Sequence, residues 1–112
     1  MSSKKDKLQN KDKYFMRIAM NLAEERIGLT GLNPSVGCLI VKNNKILSFG
    51  QTGFNGRPHA ETVAINKCKM NELRGSSIFV TMEPCTHFGK TPPCTNLIIK
   101  SKIKKVIYSS TD

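Results

Sequence analysis

The chain has 112 residues, 38% of them hydrophobic, no tryptophan and a formal net charge of +10. That length holds one domain with a modest, mainly aliphatic core. No apolar run approaches the ~18 residues of a membrane-spanning helix. The polar start, M-S-S-K-K-D-K-L-Q-N-K-D-K, has no apolar signal core, so a cytoplasmic setting without a membrane partner is expected. There, four cysteines read as metal ligands or thiols rather than disulfides. The lysines divide between the N-terminal stretch (Lys4, Lys5, Lys7, Lys11 and Lys13, diluted by Asp6 and Asp12) and the group Lys100, Lys102, Lys104 and Lys105. Two separated groups read first as solvated surface, then as attraction for a small anionic substrate, and last as a nucleic-acid footprint.

Residues 1–11 read as a flexible basic leader and residues 12–112 as the folded domain. Asp12 can cap a helix in which Phe15, Ile18, Ala19, Leu22, Ala23 and Ile27 recur at helical period, ended by Gly28 and Gly31. Val36 to Val41 is a continuous apolar run and reads as a strand covered on both faces. Lys42-Asn43-Asn44-Lys45 is a turn whose asparagines tolerate positive φ, and Ile46 to Phe49 returns as a second strand. After a loop with three glycines between Gly50 and Pro58, a helix is expected over His59–Met70, with His59 at its N-terminus behind Pro58. Arg74-Gly75-Ser76 breaks the chain, Ser77 to Met82 is a third strand, and Pro92-Pro93 opens a helix through Cys94, Leu97, Ile98 and Ile99. Lys105 to Ser109 is a fourth strand.

The order α-β-β-α-β-α-β contains two strand–helix–strand crossovers, which demand parallel pairing and right-handed connections. A hairpin joined to them predicts a mixed sheet with helices on both faces. Four strands ending at Asp112 make a sheet that is expected to continue, so the chain reads as a fragment of a longer protein. Its open edge favours a homo-oligomer.

The stretch Glu83–Cys94, E-P-C-T-H-F-G-K-T-P-P-C, holds two of the four cysteines and one of the two histidines. His59-Ala60-Glu61 supplies the other histidine beside an acid. H-x-E, then P-C, then a second cysteine matches the zinc-deaminase pattern. One imidazole and two thiolates make a three-ligand zinc site with an open fourth position for water. Zinc lowers that water's pKa from 15.7 to roughly 7. Helix N-termini favour the thiolate forms of Cys85 and Cys94, and Glu61 is placed to move protons without ligating the metal. Each motif alone is weak. His59 by itself reads as a loop histidine. Cys85 and Cys94 by themselves read as structural thiols or as part of a closed zinc knuckle, which needs a fourth ligand such as His87. Cys38 and Cys68 read as small buried apolar side chains. Glu83 reads equally as a carboxylate behind the ligands and as a strand-end charge.

Nucleoside and nucleic-acid deaminases usually carry P-C-x-x-C, whereas eight residues separate Cys85 from Cys94. With the filling T-H-F-G-K-T-P-P, the block closely resembles the deaminase domain of the riboflavin-biosynthesis bifunctional deaminase–reductases, the RibD type. The resemblance extends to N-P-S-V-G-C at Asn33–Cys38, G-R-P-H-A-E at Gly56–Glu61, V-T-M-E-P-C at Val80–Cys85 and K-K-V-I-Y before Asp112, and covers roughly residues 12–112. It implies a cytidine deaminase-like, three-layer α/β/α fold with a mixed sheet, truncated in its C-terminal part. It implies a Zn2+ cofactor held by His59, Cys85 and Cys94, with Glu61 as proton shuttle. The implied reaction is hydrolytic deamination of 2,5-diamino-6-(5-phosphoribosylamino)pyrimidin-4(3H)-one with release of ammonia. Asn33 is then expected at the pyrimidine and Lys90 near the phosphate, where an ammonium serves as a point charge. His87 either adds a hydrogen bond or only stabilises the loop. Thr52 aligns with a histidine that the family often has, and offers phosphate an uncharged hydroxyl. Asp112 matches the first residue of a D-P-N-type turn expected to touch substrate. The family continues past that turn into a reductase domain, so the reductase activity is not carried over. Two other readings stay open: a zinc deaminase acting on tRNA or a nucleotide such as dCMP, and a zinc-binding fragment without turnover.

Overall fold

A computed structural model of the protein describes residues 10–81 and 93–109, and of residues 93–95 the backbone alone. Helix α1 spans Asn10–Glu24 and buries Phe15, Met16 and Ala19. It starts ahead of Asp12, which therefore sits in the first turn, where a carboxylate meets the positive end of the helix dipole, and not at the cap. Ile27, expected as the last residue of the buried stripe, lies beyond the helix end and is 68% exposed. The chain leaves α1 through turns that reach Gly28 at φ +85.

Strand β1 (Gly37–Lys42) and strand β2 (Lys45–Gln51) form the expected hairpin. Asn43 and Asn44 take φ +53 and +64 at its tip, the left-handed pair whose twist matches the flanking strands. A short 3-10 turn, Phe54–Gly56, precedes helix α2 (Ala60–Asn66). The single helix expected over His59–Met70 is two helices. After Asn66 the N–H groups of Lys67 and Cys68 fall back to the Ala64 and Ile65 carbonyls. Lys69 is extended, and its N–H donates to the Glu72 carboxylate at 2.8 Å, which starts helix α3 (Met70–Leu73). Strand β3 (Ser77–Val80), helix α4 (Pro93–Lys100) and strand β4 (Lys105–Tyr108) complete the order.

The sheet order is β2-β1-β3-β4. Strand β1 is antiparallel to both neighbours, and β3 and β4 are parallel. The β3–α4–β4 crossover pairs its strands directly, as expected. The crossover from β2 to β3 keeps the parallel orientation, but the two strands do not pair, because β1 uses both its edges and lies between them. Side chains alternate across the sheet with period two. Leu39, Val41 and Phe79 pack on Phe15, Met16 and Ala19 of α1. Cys38, Ile40, Ile78 and Val80 pack on Ala60, Ala64, Ile65, Leu73 and Ile98 on the opposite face. The architecture is three-layered, α/β/α, with β1 covered on both sides. Among the described residues no helix is long and apolar enough to cross a membrane.

Two glycines set the distance between the layers. A Cβ on Gly37 would stand 1.9 Å from the Ala19 carbonyl oxygen, and one on Gly50 would stand 2.2 Å from that of Ala60. Helices α1 and α2 thus sit directly on the strand backbone. Gly50→Ala should force the first turn of α2 outward and cost about 1–3 kcal/mol, as overpacking does. Ile27→Ser should stay within about 0.5 kcal/mol. Urea unfolding midpoints compare the two.

Candidate active site

Strands β2 and β3 both run against β1, so they point the same way, and the helices that follow them begin at the same end of the sheet. That end carries the loaded residues. His59 is the N-cap of α2, extended at φ −72 and ψ 153 and half-buried, and its carbonyl accepts the Val63 N–H at 3.1 Å. Glu61 lies in the first turn of α2 and is only 3% exposed. Cys94 is the second residue of α4. Among the described residues Glu61 is the one buried charged side chain, and burying a carboxylate is costly enough to need a reason.

The loops around this end are knotted by hydrogen bonds. The Asn33 Nδ2 donates to the Gly56 carbonyl at 3.0 Å, joining the loop before β1 to the loop before His59. Gly56 has φ +97, and a Cβ there would come 2.5 Å from that Nδ2, so glycine is needed for both conformation and closeness. The Thr30 hydroxyl donates to the Asn33 carbonyl at 2.6 Å, and the Asn55 N–H donates to the Leu29 carbonyl at 3.0 Å. Behind them, Arg26 Nη1 donates to the Thr52 carbonyl at 3.0 Å, with its guanidinium 4.3 Å from the centre of the Phe54 ring. Gln51 Nε2 donates to the Leu22 carbonyl and to Glu25. The Ser35 hydroxyl donates to the Ala23 carbonyl. The end of α1 is stapled in this way to the exit of β2.

The structure brings Asn33, Thr52, His59 and Glu61 to one end of the sheet, and α4, whose second residue is Cys94, begins at the same end. Thr52, expected at the substrate phosphate, has its hydroxyl turned into the backbone: it accepts the Val36 N–H at 2.8 Å and is 1% exposed. Cys85, His87, Lys90 and Asp112, together with Glu83 and the Cys94 side chain, lie outside the described residues. Among the described residues no three metal-ligating side chains gather, since two of the three expected zinc ligands are beyond them. Of the expected ligands only the His59 imidazole, at the helix cap, has a described side chain; an imidazole is a usual zinc donor, and the buried Glu61 carboxylate follows two residues on. Cys38 belongs to the core, and the Cys68 Sγ lies 3.4 Å from the Ser48 hydroxyl, against the far part of α2. Cys38, opposite Gly50 and Val80 in the sheet, lies at this end but is buried in the core, and Cys68 lies past the C-terminal end of α2. Arg26, Gln51 and Ser35 were not singled out from the sequence, because each donates to a distant backbone carbonyl, which carries no side-chain signature.

A family model of the cytidine and deoxycytidylate deaminase zinc-binding region matches residues 9–110. The chain belongs to that family. It is 46% identical over 102 residues to the diaminohydroxyphosphoribosylamino-pyrimidine deaminase of Buchnera aphidicola, covering 91% of this chain and 69% of that protein. It is also 46% identical over 101 residues to the riboflavin biosynthesis protein RibD of Aquifex aeolicus, but there it spans 28% of the relative's length and 90% of its own. Among solved structures, the diaminohydroxyphosphoribosylaminopyrimidine deaminase/5-amino-6-(5-phosphoribosylamino)uracil reductase of Thermotoga maritima superposes with a TM-score of 0.81 at 43% identity. The match covers 92% of this chain and 30% of that one. The expected cytidine deaminase-like fold is therefore the observed one.

The Asn33–Gly56 bond is testable apart from any chemistry. Asn33→Ala should cost about 1 kcal/mol of stability, the usual worth of one such hydrogen bond, read by chemical denaturation.

Proposed function

We propose that this chain carries out the hydrolytic deamination of 2,5-diamino-6-(5-phosphoribosylamino)pyrimidin-4(3H)-one, with zinc held by His59, Cys85 and Cys94. The observation that carries the reading is the buried Glu61 in the first turn of a helix capped by His59, at the sheet end where α4 brings Cys94. Similarity to the Buchnera and Thermotoga deaminases supports the substrate.

When bound, zinc supplies a Lewis acid that makes water acidic enough to lose a proton near neutral pH. The residues of the chain do the rest. Glu61 takes one proton of the attacking water and delivers it to the ring nitrogen, then takes the second from the newly added hydroxyl and delivers it to the amino group, which leaves as ammonia as the carbonyl forms. Its burial keeps that proton in exchange with substrate rather than with bulk solvent. The Nδ2 of Asn33 is engaged by the Gly56 carbonyl, which orients its Oδ1 to accept from a pyrimidine N–H. Lys90 meets the phosphate as a point charge, with His87 as a hydrogen-bonding neighbour and Asp112 as a further contact.

The net charge of +10 favours a second reading, deamination of tRNA or of a nucleotide. Ammonia release separates the two: it is expected from the phosphoribosylaminopyrimidine and not from tRNA or dCMP. Glu61→Gln should lower turnover by roughly 10²–10⁴-fold, the usual worth of a general acid–base group, while zinc content stays at one per chain by metal analysis. Loss of zinc in that variant would remove Glu61 from the role of proton shuttle.

A further inference from the structure

We infer that Thr52 is a positioning residue, holding the Asn33 loop and the His59 loop at a fixed separation, and that it makes no contact with substrate phosphate. The inference rests on the deaminase reading above for its kinetic part only.

Every polar atom of Thr52 is engaged. Its N–H donates to the Val36 carbonyl at 3.0 Å and its carbonyl accepts Arg26 Nη1 at 3.0 Å. Its hydroxyl accepts the Val36 N–H at 2.8 Å and sends its single proton toward the Pro34 carbonyl at 3.3 Å or the Val36 carbonyl at 3.4 Å. A phosphate oxygen only accepts hydrogen bonds, so it needs a hydroxyl proton. The one proton that Thr52 owns is aimed at backbone carbonyls, and the side chain is 1% exposed.

The position of the knot explains what it does. On one side it holds Pro34 and Val36, one and three residues after Asn33. On the other it launches the loop whose Gly53 N–H bonds the Pro58 carbonyl at 2.9 Å and whose Gly56 carbonyl receives Asn33. His59 follows Pro58 at once. The spacing of Asn33 and His59 thus depends on this hydroxyl together with the Thr52 N–H and the Asn33–Gly56 bond. A β-branched side chain suits the role, since it has few rotamers to lose.

Thr52→Val keeps volume and branching and removes only the hydroxyl, while Thr52→Ser keeps the hydroxyl. Both are tested in the full, zinc-loaded chain by steady-state kinetics on the phosphorylated substrate and on its dephosphorylated ribosylamino counterpart, and by amide hydrogen exchange without substrate. The expected result is a fall in kcat/KM of about tenfold for Thr52→Val, the size of one lost hydrogen bond. That factor should be the same on both substrates, and Thr52→Ser should recover most of it. Exchange should quicken at residues 33–36 and 53–59 and stay unchanged in β3. A loss confined to the phosphorylated substrate would show that the hydroxyl meets phosphate and would overturn the inference. Unchanged exchange at 33–36 overturns it whatever the substrate proves to be. If the unmodified chain releases no ammonia from either compound, the deaminase reading falls, and the exchange result alone decides the role of Thr52.

Discussion

Strand β1 runs against both of its neighbours, and the site depends on that. Because β2 and β3 are each antiparallel to β1, they are parallel to one another, and the helices that follow them start at the same end of the sheet. In open α/β sheets, ligands sit outside the carboxyl ends of strands because helix N-termini and loops converge there. Here His59, Glu61 and Cys94 arrive at that end from two separate strand–helix connections. A strand in this position is covered on both faces, and Cys38, Leu39, Ile40 and Val41 are all buried. The most hydrophobic run in the chain is thus also the element that aligns the two halves of the site.

Much of what looks like site sequence is packing. The glycine of N-P-S-V-G-C seats α1 against its Ala19 carbonyl, and Gly50 seats α2 against its Ala60 carbonyl. The glycine of G-R-P-H-A-E lets the Asn33 amide reach the backbone before His59. Interiors transmit small displacements because they are close-packed, so a side chain at Gly50 would move His59 and Glu61 with the helix that carries them.

The parts of this fold that were legible in the sequence are local. The Asn43-Asn44 turn, the apolar run of β1, and His59 at a helix start behind Pro58 all follow from residues within a few positions of each other. What was not legible is non-local. Nothing in the periodicity shows that β1 inserts between β2 and β3, since that choice is made by pairing between residues about forty positions apart, such as Cys38 with Val80. The break after Asn66 depends on Glu72 capping Lys69, which competes with a helical pattern that continues on paper. Ile27 fits the α1 stripe by spacing, yet the helix has already ended at Glu24. Thr52 is the same lesson at the site. The sequence does not show what its hydroxyl meets, the Val36 N–H and the Pro34 carbonyl, 16 and 18 residues away in the chain. Cys85, His87, Lys90 and Asp112 lie outside the described residues, so for them the motif and its chemistry stand alone.

Glu61 is where scaffold and chemistry part company. A core needs no carboxylate, and an apolar residue in the first turn of α2 would bury more favourably beside Ala60 and Ala64. Burying a charge is disfavoured by several kcal/mol unless something nearby repays it. Two thiolates and a neutral imidazole balance a divalent ion, so with the ion in place the ligand set adds no net charge of its own. In the proposed reaction the carboxylate is the group that changes protonation state while the ligands keep theirs. A residue proposed for that role would have to lie close to the metal, off its coordination sphere and shielded from bulk water at once. Position 61 is shielded from water because it is two residues past the cap: the cap is at the end of the sheet, and the first turn already lies against β2 at Gly50. The spacing H-x-E is in this sense a measure of how quickly a helix passes from the rim of a sheet to its covered face.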